Sequence, residues 1–341
     1  MLQVKENKLL QSLLGSPFEV ANRLNHPFET DVEILDVEFK TGEKLALTVD
    51  VIAEEIEYGL YSDPFLIGWM SVIISLSDLA ASGAVPLGLL SILNIERDLP
   101  NDFIAAISQG QQAASQKAGV PILGGDTNFT SQTQVGSVGI GKVDEHTMLS
   151  RVGMKKGDVL FSSGPLGMGN GFAFQKLFAS QAAELPYSPQ PRLNEASILK
   201  KYATASIDTS DGFFPALGQF MTLNPIGLQI DGLWERLLPA ELLAFNKKAL
   251  LPAWFYLAGP HGEFEILFTI PKARVNLFLK EAGQINWHPL QIGAITPEED
   301  ICRYRKKTFP IEQIINAFYD SDQDPKQYFN QLQKLLKKEA L

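Results

Sequence analysis

The chain has 341 residues, more than a single average core organises, so two domains are expected. Its hydrophobic share of 45% and charged share of 20% fit a globular protein. A net charge of -10 excludes a generally basic face of the kind nucleic acids and anionic membranes require.

The N-terminal stretch "MLQVKENKLLQSLLG" reads as an amphipathic helix and carries no signal-peptide cleavage pattern. "EKLALTVDVI" (43–52) reads as a strand that ends near Asp50. "DPFLIGWMSVIISLSDLAASG" (63–83) reads as a helix by its length, apolar spread and terminal glycine. Its apolar run, "PFLIGWMSVIISL", has 13 residues, too few to span a bilayer. A cytoplasmic protein without a membrane partner is expected.

"PLGLLSILNI" (86–95) reads as a buried strand. "PNDFIAAISQGQQAASQKAG" (100–119) reads as a helix that stops at Gly119. "VPILGGDTNFT" (120–130) is a strand running into a tight turn, and "TQVGSVGIGKV" (133–143) is another strand. Near Ser150 a second block begins. "GDVLFSSGPLGMGNGFAFQKLFASQ" (157–181) is strand, glycine-rich loop and helix, and "PYSPQPRLNEASILKKYA" (186–203) is a connector into a helix. "ASIDTSDGFFPALGQFM" (205–221) is strand, polar turn and helix. "GEFEILFTIP" (262–271) is a strand and "KARVNLFLKEAG" (272–283) a helix. The tail is a helix with Asp324 as N-cap, Pro325 at its first position and an apolar stripe of Tyr328, Leu332, Leu335 and Leu336. Alternating strands and helices imply a mixed α/β protein.

The chemistry-bearing residues are mostly carboxylates. The single cysteine, Cys302, excludes a disulfide within the chain and a thiolate metal cluster. The four histidines are scattered and lack zinc-ligand spacing. By contrast Asp50, Asp78, Asp126 and Asp211 each stand where an apolar element meets small residues: "LTVD", "SLSDLAASG", "LGGDT", "IDTSDG". One such aspartate is ordinarily a cap or a turn former. Four of them, if brought together, repel unless a cation neutralises them, and Mg²⁺ takes oxygen ligands and substrate phosphates. No P-loop is present, and "SSGPLGMGNG" does not match the dinucleotide fingerprint. A phosphate ligand held through Mg²⁺ is the reading this chemistry favours.

The ordered set of motifs resembles the thiamine-monophosphate kinase family. "SLSDLAASGAVPLGLL" resembles its "NLSD-AAMGA-P" segment, "LGGDT" its "GGDT", and "SRVGMKKGDVLFSSGPLG" its "R-GA-PGD-L-VTG-LG". "SPQPRL" resembles its "P-PR", "ASIDTSDGF" its "AMIDISDGL", and "GEFEILFTIP" its "GEDYELLFTVP". The matches cover about residues 30–270 and are specific for the superfamily that also holds aminoimidazole-ribonucleotide synthetase, selenophosphate synthetase and a hydrogenase-maturation dehydratase.

The resemblance implies a two-domain PurM-like α/β (α+β) fold. An N-terminal domain (30–148) would form a barrel in a homodimer, and a C-terminal domain (149–320) would close over ATP, with terminal segments 1–29 and 321–341. It implies Mg²⁺ held by Asp31, Asp50, Asp78, Asp126 and Asp211. ATP would meet Thr48, Gly124, Gly125, Asp126, Arg151, Ser210 and Asp211, with Arg151 and Asp211 catalytic. Glu57 and Glu263 would face a small phosphorylated substrate. Such in-line phosphoryl transfer rests on positioning and charge neutralisation, so a strong general base is not needed.

The chain also departs from the family pattern. "GDDAA" becomes "ETDVEI", with Thr30 in place of one aspartate, and "VEGVHF" becomes "AEEIEYG". Ser75 replaces the asparagine of "NLSD", and "GGEDYE" becomes "PHGEFE". Three readings therefore stay open: a kinase with this or an altered acceptor, an ATP-using synthetase of the same fold, and a non-catalytic nucleotide-binding dimer.

Overall fold

A computed structural model describes residues 24–26, 29–37, 42–179, 185–321 and 324–338, so the expected N-terminal helix lies outside the described residues. The chain divides into two compact units. One takes its described residues from Ala21–Ser150 and Phe172–Lys201, the other from Arg151–Gly171 and Tyr202–Leu341. The segment after the glycine-rich loop thus returns to the N-terminal unit before the chain leaves it again.

The N-terminal unit is built on a five-stranded sheet of β1 (Glu33–Leu35), β2 (Glu43–Ile52), β3 (Val85–Glu96), β4 (Ile122–Thr130) and β5 (Gln134–Asp144). Its order is β1-β2-β5-β3-β4, antiparallel throughout except for the parallel β3–β4 pair. Short helix α1 (Glu54–Glu57) follows β2. Helices α2 (Pro64–Ala81) and α3 (Asn101–Ala118) pack on each other, and α2 lies against β2 and β5. On β2, Val49 and Val51 are 60% and 44% exposed on the helix-free face, while Thr48 and Asp50 alternate to the helix side.

α2 starts where Asp63 accepts the Phe65 N–H at 3.0 Å and Pro64 needs no donor of its own. By length and a mean hydropathy of 1.6, this helix could cross a membrane. Its setting is a folded core, with 13 of its 18 residues buried beneath α3 and the sheet. The serines are satisfied there. Ser75 Oγ donates to the Ser137 carbonyl at 2.9 Å, Ser137 Oγ to that of Ser71 at 2.6 Å, and Gln111 Nε2 to Ser71 Oγ at 3.0 Å.

The α2–α3 contact depends on two glycines. A Cβ on Gly68 would sit 1.8 Å from the Ile107 carbonyl oxygen, and one on Gly110 would sit 2.1 Å from that of Phe65. Both obstacles are backbone, so the helices must separate to admit a methyl group. Gly68→Ala is expected to cost about 1–3 kcal/mol. A thermal melt in which Gly68→Ala unfolds with the wild type would contradict this close approach.

The C-terminal unit carries a seven-stranded sheet of order β12-β11-β8-β10-β6-β9-β7. Its strands are β6 (Val159–Ser162), β7 (Ala205–Asp208), β8 (Gly227–Ile230), β9 (Ile266–Ile270), β10 (Leu290–Thr296), β11 (Cys302–Tyr304) and β12 (Lys307–Thr308). Helices α4 (Met168–Phe178) and α5 (Leu193–Tyr202) lie mostly in the segment Phe172–Lys201 that belongs to the N-terminal unit, while α6 (Phe213–Leu223) follows β7 in the C-terminal unit. Then come α7 (Ala240–Ala249), α8 (Phe255–Ala258), α9 (Val275–Gln284), α10 (Ile311–Asn316) and α11 (Pro325–Lys338). Phe161, Phe268, Phe278 and Trp287 form one aromatic cluster, and Phe214, Trp234 and Phe309 another. In the tail, Tyr328 and Leu332 are buried and the Tyr328 hydroxyl donates to the Ala258 carbonyl at 2.8 Å. Through Tyr328 and Leu332, α11 therefore packs on its own unit.

Candidate functional site

In the N-terminal unit, β2 and α2 run side by side and bring carboxylates together from distant points in sequence. Thr48 Oγ1 donates to Asp78 Oδ2 at 2.5 Å and approaches Asp50 Oδ2 at 3.3 Å. Asp50 and Asp78 are also hydrogen-bonded to each other, and the charge of Asp31 reaches Asp50. Burial pushes the Asp50 carboxyl above the usual carboxylate range. The hydrogen bonds from Asp78 and Thr48 pull it down, and Asp31 pushes it up further. A cation would relieve the repulsion within the group, and the donors are all oxygen, as Mg²⁺ prefers. Three of the five expected metal-site residues thus meet in one unit. Thr30 takes no part in the carboxylate group, since its hydroxyl closes a turn onto the Val32 carbonyl.

Asp126 stands elsewhere. Strand register aligns Asp50 with Ser137, Ser137 with Ser91, and Ser91 with Gly125. Asp126, one residue on, points to the opposite face of the sheet from Asp50 and lies three strands away, about 14 Å across. There it accepts from Asn128 Nδ2 at 2.8 Å. Gly125 is required by packing within the sheet, because a Cβ would lie 2.1 Å from the Ser91 carbonyl oxygen. At Gly124 a Cβ would meet nothing closer than 3.9 Å.

The C-terminal unit gathers its polar residues where β6 and β7 end and β9 begins. Asp211 is exposed, whereas Asp208, at the end of β7, is 4% exposed and accepts from Ser210 Oγ at 2.9 Å. Asp208 was not singled out from the sequence. The signal available was its place as the last residue of an apolar strand, ahead of the looser turn that holds Asp211. Arg151 is half-buried at the start of this unit, with its carbonyl held by Asn224 Nδ2 at 2.9 Å.

Glu263 lies in the interior. Its Oε2 accepts the Gly167 N–H at 2.7 Å, while Oε1 is buried without a hydrogen-bond partner. Burial raises its carboxyl to about 8, with Glu265 adding to the rise and the Gly167 N–H opposing it. Between Glu263 and Glu265 stands Phe264 with φ of 60°, a left-handed conformation that a bulky residue rarely adopts. Glu265 accepts from Ser163 Oγ. His261, buried beside them, has its imidazole lowered to about 4 by burial. Glu57, in contrast, is exposed at the end of α1.

Residues 30–143 match the family model described as AIR synthase related protein, N-terminal domain. The thiamine-monophosphate kinase of Archaeoglobus fulgidus is 30% identical over 237 residues, covering 67% of this chain and 75% of that protein. That of Aquifex aeolicus is 27% identical over 257 residues, covering 72% of this chain and 82% of that protein. The solved structure of AaThiL complexed with AMPPCP and TMP shares the fold. Its TM-score is 0.71 at 23% identity, over 91% of this chain and 97% of that one. At 30% identity over three quarters of the Archaeoglobus fulgidus enzyme, the chain belongs to the thiamine-monophosphate kinase family.

Proposed function

We propose that the protein transfers the γ-phosphoryl group of ATP to the phosphate of thiamine monophosphate or a closely related phosphorylated acceptor. The observation that carries this reading is the convergence of Asp31, Asp50 and Asp78 around Thr48. These carboxylates would hold Mg²⁺, which supplies charge neutralisation for the polyphosphate. An acceptor phosphate oxygen forms the new bond to the γ-phosphorus while the bond to the bridging oxygen of the leaving ADP breaks. Thr48 fixes the Asp78 carboxylate so that its lone pairs are presented in one orientation. In the C-terminal unit, Arg151 and Ser210 are the proposed phosphate and nucleotide contacts, and Asp208 is preferred to Asp211 as the carboxylate that orients Ser210. We assign the exposed Val49 and Val51 face to the contact with a second copy in a homodimer.

The test is incubation with γ-labelled ATP, Mg²⁺ and thiamine monophosphate. Label is expected in thiamine diphosphate. Label released wholly as inorganic phosphate would favour a synthetase, and the absence of ADP would remove the catalytic reading.

A further inference from the structure

The C-terminal unit begins at Arg151, and residues 151–155 belong to no helix or strand. Backbone groups in such a segment need partners from outside it. One side chain supplies several. Asn224, 4% exposed, ends α6 in an extended conformation, with φ of -127° and ψ of 136°. Its Oδ1 accepts the Gly153 N–H at 2.9 Å and the Met154 N–H at 3.2 Å. Its Nδ2 donates to the Arg151 carbonyl at 2.9 Å and to the Phe220 carbonyl at 2.9 Å. Both lone pairs and both hydrogens of the amide are used, and only one orientation of the amide serves all four partners. Closing α6 requires only the bond to Phe220. The other three reach a segment 70 to 73 residues earlier in the chain.

The segment is held from a second side as well. Gly153, with φ of 127°, presses on Thr204, where a Cβ would stand 2.4 Å from the carbonyl oxygen. Asp158 Oδ2 accepts the Lys155 N–H at 3.0 Å. Arg151 is the cation this clamp carries at its edge. A guanidinium meets phosphate oxygens in a fixed fork, so its value depends on where its backbone stands. We propose that Asn224 is a positioning residue for Arg151. By holding the Arg151 carbonyl and the next two N–H groups of the segment, it fixes the backbone from which the guanidinium reaches the phosphates of ATP. The assignment rests on the phosphoryl-transfer reading, in which Arg151 meets phosphate.

The test is a double-mutant cycle on ATP binding in the presence of Mg²⁺, measured calorimetrically on the full chain. Asn224→Ala and Arg151→Ala are each expected to weaken ATP binding about tenfold. The double variant is expected to bind no more weakly than Arg151→Ala, because the support then has nothing left to place. Asn224→Ala also leaves the Gly153 and Met154 N–H groups without this acceptor, so it melts earlier, and by the same amount in both backgrounds. Asn224→Asp runs in parallel as the milder variant. It keeps the acceptor for those two N–H groups and loses the donor to Arg151. Any repulsion of ATP by its new charge persists when Arg151 is gone, and the cycle subtracts it. Asn224→Ala binding ATP like the wild type would overturn the proposal. So would a loss that persists undiminished in the Arg151→Ala background, which would make Asn224 a general structural residue, or an Arg151→Ala protein that binds ATP normally. In each of these the wild type still binds ATP. A wild type that binds none removes the phosphoryl-transfer reading, and this assignment with it.

Discussion

Asp78→Asn is expected to abolish the Mg²⁺-dependent component of ATP binding and to lower turnover on the order of 100-fold, because the proposed reading makes Asp78 a direct ligand to the metal. The substitution keeps the shape of the side chain and its bond from Thr48, so the loss tests charge alone. Stability should move the other way. In the metal-free protein Asp31, Asp50 and Asp78 repel, and removing one charge relieves the group. Metal-free Asp78→Asn should therefore melt at or above the wild-type temperature, while Mg²⁺ raises the wild type and leaves the variant unmoved. The raised Asp50 carboxyl adds a sign for pH. Mg²⁺ needs the ionised form, so wild-type affinity rises as pH climbs through the Asp50 pKa and flattens above it. The metal-free protein loses stability over the same window, since its folded state holds a proton that the unfolded chain has released. Calorimetry and melting scans at two pH values read all of these. An Asp78→Asn protein that still binds ATP only with Mg²⁺ would show that the metal sits elsewhere.

The sequence made the N-terminal unit legible because its elements are long. α2 and α3 each have 18 residues, and β2, β3 and β5 have ten or more, enough for period and caps to declare themselves. The region after α6 was opaque for the opposite reason. β8 has four residues and is buried on nearly every side, so it carries no alternation to read. The site divides along the same line. Asp50 and Asp78 are recognisable because each is a lone carboxylate at the end of a strong apolar pattern. The two faces of β4 are not recognisable, since every residue of "LGGDTNF" is exposed and nothing in the pattern says which way Asp126 points. The interior position of Glu263 was also invisible. Only the fold brings the glycine-rich loop onto its carboxyl, 96 residues away in sequence.

Glu263→Gln is expected to gain stability relative to the wild type between pH 5 and pH 8, the cost of its unpaired amide being the same at both. Below the ordinary glutamate range, both folded and unfolded chains hold the Glu263 proton, and the group contributes nothing to the pH dependence. From there up to about 8 the unfolded chain ionises while burial keeps the folded carboxyl neutral. Each pH unit in that window then removes about 1.4 kcal/mol of stability from the wild type. Above the folded pKa the loss levels off. Glutamine cannot ionise, and its carbonyl still accepts the Gly167 N–H, so the variant escapes the loss and gains on the order of a few kcal/mol by pH 8. Its buried amide leaves a donor unsatisfied, but that penalty is equal at both pH values and drops out of the comparison. Glu265 and His261 face the same interior and are present in both proteins. His261 acts in the opposite window, where its lowered imidazole costs stability as pH falls from about 6.5 toward 4. The difference between the two melting curves, followed from pH 5 to pH 9, isolates Glu263. A constant offset across that range would mean that Glu263 is ionised in the folded protein and that its buried oxygen is reached by solvent or a cation.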